Sequence, residues 1–130
     1  MLLPPGDEAF LSAKGMAYEV SQEAGFTCVL FPGWPLPAGF TLSSSDLLLR
    51  LSPGYPDVPP DMWWFSPDVL RADGQPIPAA DVHEEHLART WQRWSRHLNA
   101  GQWLPGQDAL ESFLALIARD VHACAAGVAV

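Results

Sequence analysis

The stretch Gly54-Tyr55-Pro56-Asp57-Val58-Pro59-Pro60 decides how the chain is organised. Its prolines fix φ and lack a backbone donor, so the stretch predicts a rigid, extended connection that is neither helix nor inner strand. Short apolar segments bounded by turn residues lie before it, and another, at residues 62–65, follows it. The stretch therefore predicts the connection between the third and fourth strands of one sheet.

The segments around this connection have the pattern of short β-strands. Each is an alternating or fully apolar run, and such runs separated by turn residues favour antiparallel strands. Residues 31–37 cannot ladder in a sheet interior, because proline has no N–H to donate, and residues 43–45 form a polar serine loop. The sequence predicts a four-stranded antiparallel meander with strands at residues 16–21, 26–31, 46–51 and 62–65.

A helix is predicted at residues 108–122, where apolar side chains recur at helical spacing. Asp108 and Glu111, three residues later, resemble a capping box. The stripe that we expect to face the sheet consists of Leu110, Phe113, Leu114, Ile117 and Val121.

A second helix is predicted upstream, at residues 81–94, where Leu87, Trp91 and Trp94 would share one face. Strands followed by helices give an α+β order. Residues 1–15 form an N-terminal leader with a helical turn at residues 7–14 ended by Gly15, and residues 16–130 form a single domain.

Composition restricts the function. Of 130 residues, 48% are hydrophobic, so the chain can bury a core. A net charge of −8 with 7 basic residues argues against nucleic-acid binding, which needs clustered cations against phosphate. No apolar run approaches the roughly 18–20 residues that cross a bilayer, and the N-terminus lacks the basic and apolar regions of a secretion signal. These features predict a cytoplasmic protein without membrane contact.

Cysteines and histidines give no strong metal signature. Cys28 and Cys124 lie far apart and belong to no Cys-x-x-Cys pair, so each is expected to be a free, mostly apolar side chain. His83 and His86 could share a helical face, but they lack His-Glu-x-x-His spacing and have no evident third ligand. A solvated face is therefore the prediction for this pair.

Three elements, taken in order, resemble the ubiquitin-conjugating enzyme superfamily. The Tyr55–Pro60 loop is similar to the Tyr-Pro-x-x-Pro-Pro loop that follows the family's third strand. Trp103-Leu104-Pro105 is similar to the family's Trp-x-Pro segment, which leads into a helix. Ser66-Pro67-Asp68 stands where the family has His-Pro-Asn. The resemblance covers residues 16–124 and implies a ubiquitin-conjugating-like α+β fold, a four-stranded antiparallel meander packed on helices, with an insertion at residues 70–94.

The resemblance is closer to a bacterial branch of that superfamily. Its Trp-Gln-x-x-Ser-Arg-His segment corresponds to Trp91-Gln92-Arg93-Trp94-Ser95-Arg96-His97. That branch is found in operons with a ubiquitin-like protein, an adenylating activating enzyme and a JAB-type peptidase. The resemblance implies these partners, and it implies no metal or organic cofactor.

The resemblance also implies a site. The family's cysteine nucleophile lies eight residues before the Trp of Trp-x-Pro, and here that position holds Ser95. A serine hydroxyl is far less ionised than a thiol at neutral pH, so it needs a base and an oxyanion site. His97 is the candidate base, and Arg96 is the candidate electrostatic helper. Asp68 stands nearest the family's Asn, where an ionised carboxylate would repel an oxyanion.

Two functions remain open at this point. In the first, the protein accepts the C-terminus of a ubiquitin-like protein as an oxyester on Ser95 and passes it to an amine. In the second, it is a non-catalytic ubiquitin-conjugating-like or RWD-type binding module, and Ser95 contacts solvent. Trp34, among prolines, is the candidate exposed contact for a partner, whereas Trp63 and Trp64 should place one ring on each face of a strand.

Overall fold

The computed structural model describes residues 3–99 and 101–125. Within them the chain forms a helix, six strands and a second helix. No helix in this part of the chain is both long and apolar enough to span a membrane. The elements are α1 (Pro5–Lys14), β1 (Glu19–Glu23), β2 (Phe26–Pro35), β3 (Ser44–Leu51), β4 (Trp63–Ser66), β5 (Val82–His86), β6 (Arg89–Trp94) and α2 (Leu110–Ala123).

The described strands form one antiparallel sheet in the order β1-β2-β3-β4-β6-β5. β1 to β4 are neighbours in chain order, as the sequence predicts. The predicted number of four strands is wrong, because β6 pairs with β4 and places β5 at the sheet edge. The combination of one antiparallel sheet with two helices is consistent with the α+β class.

The helix predicted at residues 81–94 is wrong, because this segment is the β5–β6 hairpin. Leu87 and Ala88, between the strands, have φ of 55° and 58°, the left-handed values of a tight hairpin turn that no α-helix contains. The apolar spacing misled the prediction, since residues three apart share a helix face but lie on opposite faces of a strand. Trp91 and Trp94 accordingly belong to two different apolar clusters.

The sheet buries side chains on both faces. The larger core lies between the sheet and the helices and contains Trp63 and Trp94. The smaller cluster on the other face consists of Cys28, Leu48, Trp64 and Trp91. The prediction that Trp63 and Trp64 face opposite sides is therefore confirmed.

β2 continues through the proline-rich segment that was predicted to leave the sheet. The register shifts between Phe31 and Trp34, after which Trp34 and Pro35 pair with residues of β3. β1 pairs with β2 only as far as Leu30, so residues 31–35 have no β1 neighbour on their outer side. A proline that faces this side therefore leaves no ladder hydrogen bond unmade. The predicted serine loop is also shorter than expected, since β3 begins at Ser44.

The helix predicted at residues 108–122 is confirmed as α2, and its apolar stripe is buried as expected. Its predicted cap is wrong: Asp108 accepts the N–H of Leu104 at 2.7 Å, and Ser112 accepts the N–H of Ala109 at 3.0 Å. The predicted N-terminal turn is the full helix α1, which ends at Gly15 with φ of 65°.

Candidate functional site

The two motifs that suggested a family are in direct contact. The Nε1–H of Trp103 donates to the carbonyl oxygen of Pro56 at 2.8 Å, and the Trp103 ring lies 6.4 Å from that of Tyr55. The hydroxyl of Tyr55 donates to Asp7 Oδ2 at 2.7 Å, and Asp7 Oδ1 accepts the N–H of Leu110 at 3.2 Å. The Tyr-Pro loop therefore fixes both the segment before α2 and the first turn of α2.

Ser95 lies directly after the last residue of β6, where the chain leaves the sheet towards α2. Its N–H donates to the carbonyl oxygen of Ala79 at 2.9 Å. Its Oγ accepts the Nε–H of Arg93 at 2.9 Å. The side chain is half-buried, so the hydroxyl is held at the end of β6 beside the Arg93 guanidinium.

Arg93 is itself fixed by Glu84. Its Nη1 lies 2.8 Å from Glu84 Oε2, and the Nε1–H of Trp64 donates to Glu84 Oε1 at 2.9 Å. Burial raises the pKa of the Glu84 carboxyl, but hydrogen bonds from His86, Trp64 and Arg93 outweigh it, so the pKa lies below its ordinary value. Glu84 is therefore a carboxylate at neutral pH and holds the guanidinium against Ser95.

His97 is oriented by Asp61 and not by Ser95. Its Nδ1 lies 2.7 Å from Asp61 Oδ1, and both side chains are exposed, at 65% and 56%. A carboxylate can only accept a hydrogen bond, so Nδ1 carries the proton and Nε2 is the nitrogen left to take one. The hydrogen bonds of the described residues do not join His97 to Ser95.

Arg96 anchors the chain after β6 to α2. Its Nε–H donates to Asp120 Oδ2 at 2.8 Å and an Nη1–H to the carbonyl oxygen of Pro78 at 2.8 Å. Its guanidinium carbon also lies 5.0 Å from the centre of the Trp94 ring. Arg93, and not Arg96, is thus the arginine that touches the Ser95 hydroxyl.

A cleft of about 500 Å³ lies between α2 and the segment that follows Ser95. Its size falls in the usual range of ligand sites, about 300–1,000 Å³. Polar and apolar side chains both line it, so it suits a chain that presents backbone oxygens as well as apolar groups. The lining includes Trp63, Arg96, His97, Asn99, Phe113 and Arg119.

Asp68 and His83 lie at a second cavity, of about 560 Å³, lined largely by residues 68–81. His83 Nε2 is 2.7 Å from Asp68 Oδ2. His86 points elsewhere, with Nε2 3.0 Å from Glu84 Oε1. In the part of the chain that the structure describes, no three His, Cys, Asp or Glu side chains are grouped to hold a metal ion.

The two cysteines and Trp34 are fully or half-buried. Cys28 is fully buried, and burial raises the pKa of its thiol. Burial and the neighbouring Asp120 also raise the pKa of Cys124. Trp34, expected to be an exposed contact, is half-buried with its ring edge-on to Phe31 at 5.7 Å.

Sequence reasoning missed two residues that hold the site together. Arg93 is two residues before Ser95 and shares its side of the strand, a signal that the helical interpretation of this segment concealed. Asp61 follows the Tyr-Pro loop, and 36 positions separate it from His97. Only the packing of β4 beside β6 brings these two residues together.

Comparison with known protein families gives one match. A family model described as prokaryotic E2 family E matches residues 3–123, nearly the whole chain. Comparisons with curated proteins and with solved structures give no match. The matched residues include α1, the Tyr-Pro loop, Ser95 and all of α2. The chain therefore belongs to prokaryotic E2 family E.

Proposed function

We propose that the protein is an acyl carrier that receives the C-terminus of a ubiquitin-like protein on Ser95. Membership of an E2 family implies a transferase-like role and a ubiquitin-like partner in general terms. The observation that carries the finer proposal is the hydroxyl of Ser95, which accepts the Nε–H of Arg93. Ser95 directly precedes Arg96 and His97 in the chain, and these two residues line the cleft. A fixed cation beside a hydroxyl favours the negative charge that develops when the hydroxyl attacks a carbonyl.

The reaction begins with an acyl-adenylate supplied by an adenylating activating enzyme. Ser95 Oγ attacks the acyl carbon, the bond from carbon to the adenylate oxygen breaks, and AMP leaves. The hydroxyl proton passes to Nε2 of His97, which Asp61 leaves free by bonding Nδ1. A primary amine then attacks the oxyester, and the bond from the acyl carbon to Ser95 Oγ breaks. One proton of the amine passes to Ser95 Oγ, which gives an amide and the free hydroxyl, and the proton held on His97 is released to solvent. Arg96, which lines the cleft, keeps its predicted role of offsetting negative charge.

The cleft between α2 and the segment that includes residues 97–99 and Gln102 is the proposed place for the donor's last residues. It lies beside the segment that follows Ser95, and its mixed lining suits an extended peptide. A JAB-type peptidase would act in the same pathway, on the finished conjugate.

The experiment is incubation with the activating enzyme, the ubiquitin-like protein and ATP, followed by a denaturing gel. The expected adduct resists thiol reductants at neutral pH and is cleaved by hydroxylamine. Ser95→Ala should abolish it, while Ser12→Ala, an exposed serine of α1, should leave it unchanged. Ser95→Cys should give a thiol-sensitive adduct, because thiolate is the better nucleophile at neutral pH.

Two further variants test the roles of the neighbours. His97→Ala should slow adduct formation by about 10²–10⁴-fold if it is the general base. Arg93→Gln should also slow it, whereas Arg89→Gln, on the same strand but bonded to Asp46 and Ser66, should not. An adduct that survives Ser95→Ala but disappears with another variant would show that the nucleophile lies elsewhere.

A non-catalytic binding module is the second candidate. One observation favours it: the hydrogen bonds of the described residues hold Ser95 on Arg93 and His97 on Asp61, so base and hydroxyl are not joined. This candidate predicts binding of the ubiquitin-like protein without any adduct under any condition of the gel assay.

A further inference from the structure

The cavity that contains Asp68 and His83 has walls that hydrogen bonds hold in place. Gln92, which is 2% exposed, lies at its inner end. The Nε2 of Gln92 donates to the carbonyl oxygens of Val69 and Ala80, each at 3.0 Å, and its Oε1 accepts the N–H of Val69 at 2.8 Å. One buried side chain therefore joins the segment after β4 to the segment before β5. The cavity is pre-formed, and its volume of about 560 Å³ falls in the range of small-molecule sites.

The floor and one wall of this cavity are apolar. Val69, Ile77 and Ala80 belong to the larger core and form its floor. Leu70, which lines the wall, is 52% exposed, and its carbonyl oxygen accepts the N–H of Thr41 at 2.9 Å. A ligand that covers Leu70 removes apolar surface from water, which favours binding.

The polar groups of the cavity are mainly acceptors of negative or neutral charge. His83 Nε2 lies 2.7 Å from Asp68 Oδ2, and because a carboxylate only accepts, Nε2 carries the proton and Nδ1 of the neutral ring is an acceptor. Asp81 adds a second, exposed carboxylate. Arg71 also lines the cavity, but Asp73 pairs with it, with Nη2 and Oδ2 2.6 Å apart. The cavity therefore favours a cationic donor over an anion.

This cavity is separate from the Ser95 hydroxyl. Successive side chains of β6 point to opposite faces of the sheet. Gln92 lies on the face that packs on the helices, because its Oε1 accepts the Nε1–H of Trp94 in the larger core. Arg93, which donates to Ser95 Oγ, lies on the other face. A ligand in the cavity is therefore not the amine that accepts the acyl group in the proposed reaction.

We propose that this cavity binds a small amphipathic amine, a primary ammonium group on an apolar body about as large as one aromatic side chain. An ammonium group has three donors, which suit the carboxylates of Asp68 and Asp81. The apolar body lies on the floor and against Leu70. The occupant is a free amine, because a concave site of this size covers most of the surface of so small a molecule.

The test titrates the full chain with phenethylamine and follows backbone signals by ¹H–¹⁵N NMR. Signals of residues 69–72 and 80–83 should shift, with a Kd on the order of 1 mM for so small a ligand. Phenethyl alcohol, which has the same apolar body without the charge, should bind at least about 3-fold more weakly, and hydrocinnamate, an anion, more weakly still.

Two pairs of variants locate the ligand. Asp81→Asn should weaken binding of phenethylamine by about 2–5-fold, the effect of one exposed ion pair, whereas Asp57→Asn, an exposed aspartate outside the cavity, should not. Leu70→Ser should weaken binding of the amine and of the alcohol alike. Leu104→Ser, which replaces a leucine that is 48% exposed and lies outside the cavity, should change neither.

Several results would overturn the inference. These are no binding of phenethylamine at about 10 mM, ten times the expected Kd, equal affinity for the amine and the alcohol, and an affinity that Asp81→Asn leaves unchanged. Binding of the peptide acetyl-Leu-Lys-Leu-amide without binding of the free amine would assign the cavity to a lysine of a partner protein instead. No step of the titration uses Ser95, so its outcome is independent of whether the chain forms an oxyester.

Discussion

Replacing Asp7 tests whether one buried carboxylate joins α1, the Tyr-Pro loop and α2. Asp7 is 3% exposed and accepts hydrogen bonds from the Tyr55 hydroxyl at 2.7 Å and from the N–H of Leu110 at 3.2 Å. Burial, together with the hydrogen bond to Asp7, raises the pKa of Tyr55, so the phenol stays a donor. Removing the carboxylate leaves both donors without their partner.

The expected cost follows from these two bonds. A hydrogen bond to a charged group contributes about 1.5–3 kcal/mol, so Asp7→Ala should lower the free energy of unfolding by about 3 kcal/mol or more. Tyr55→Phe removes only one bond and should cost about 1–2 kcal/mol. The double variant should fall short of the sum of the single variants by about 1 kcal/mol, because the two residues share one interaction.

Urea unfolding followed by tryptophan fluorescence measures these values. Glu8→Ala is the matched control, since Glu8 is the next acidic residue of the same helix and is exposed; it should change stability by no more than about 0.5 kcal/mol. An Asp7→Ala variant as stable as Glu8→Ala, or strict additivity with Tyr55→Phe, would refute the proposed junction.

Two further predictions concern the β5–β6 hairpin and the thiols. The fold lowers the pKa of Glu84, so this carboxylate stabilises the protein at pH values above its ordinary pKa of 4.5, and the contribution is lost as the pH falls through the lower folded pKa. In acid unfolding experiments, Glu84→Gln should therefore be less stable than the wild type at neutral pH and equally stable at low pH. A difference in stability that stays constant with pH would contradict this. Cys28 should react with iodoacetamide at neutral pH only when the protein unfolds, because its side chain is buried and its pKa is raised. Fast labelling of Cys28 in the native protein, measured by mass spectrometry, would contradict this. Cys28→Ser should leave the adduct with the ubiquitin-like protein unchanged.

The sequence by itself determined the elements whose signal is local. The apolar residues of α2 recur at one constant helical spacing over four turns, and Gly15 ends α1 in a left-handed conformation. Prolines keep the Tyr-Pro loop out of helices and inner strands. The order of these elements was also enough to indicate the family, which the match over residues 3–123 confirmed. Such features depend on neighbours a few residues apart, so they can be interpreted without knowing the packing.

Only the tertiary structure decided what residues 82–94 become and which side chains meet Ser95. Leu87, Trp91 and Trp94 fit a helix as well as a hairpin, and the choice depends on pairing of β6 with β4. Once the segment is a strand, its period of two places Trp91 and Trp94 on opposite faces and Arg93 on the same side as Ser95. The hydrogen bond between Asp61 and His97 likewise joins distant segments, and no local pattern encodes it.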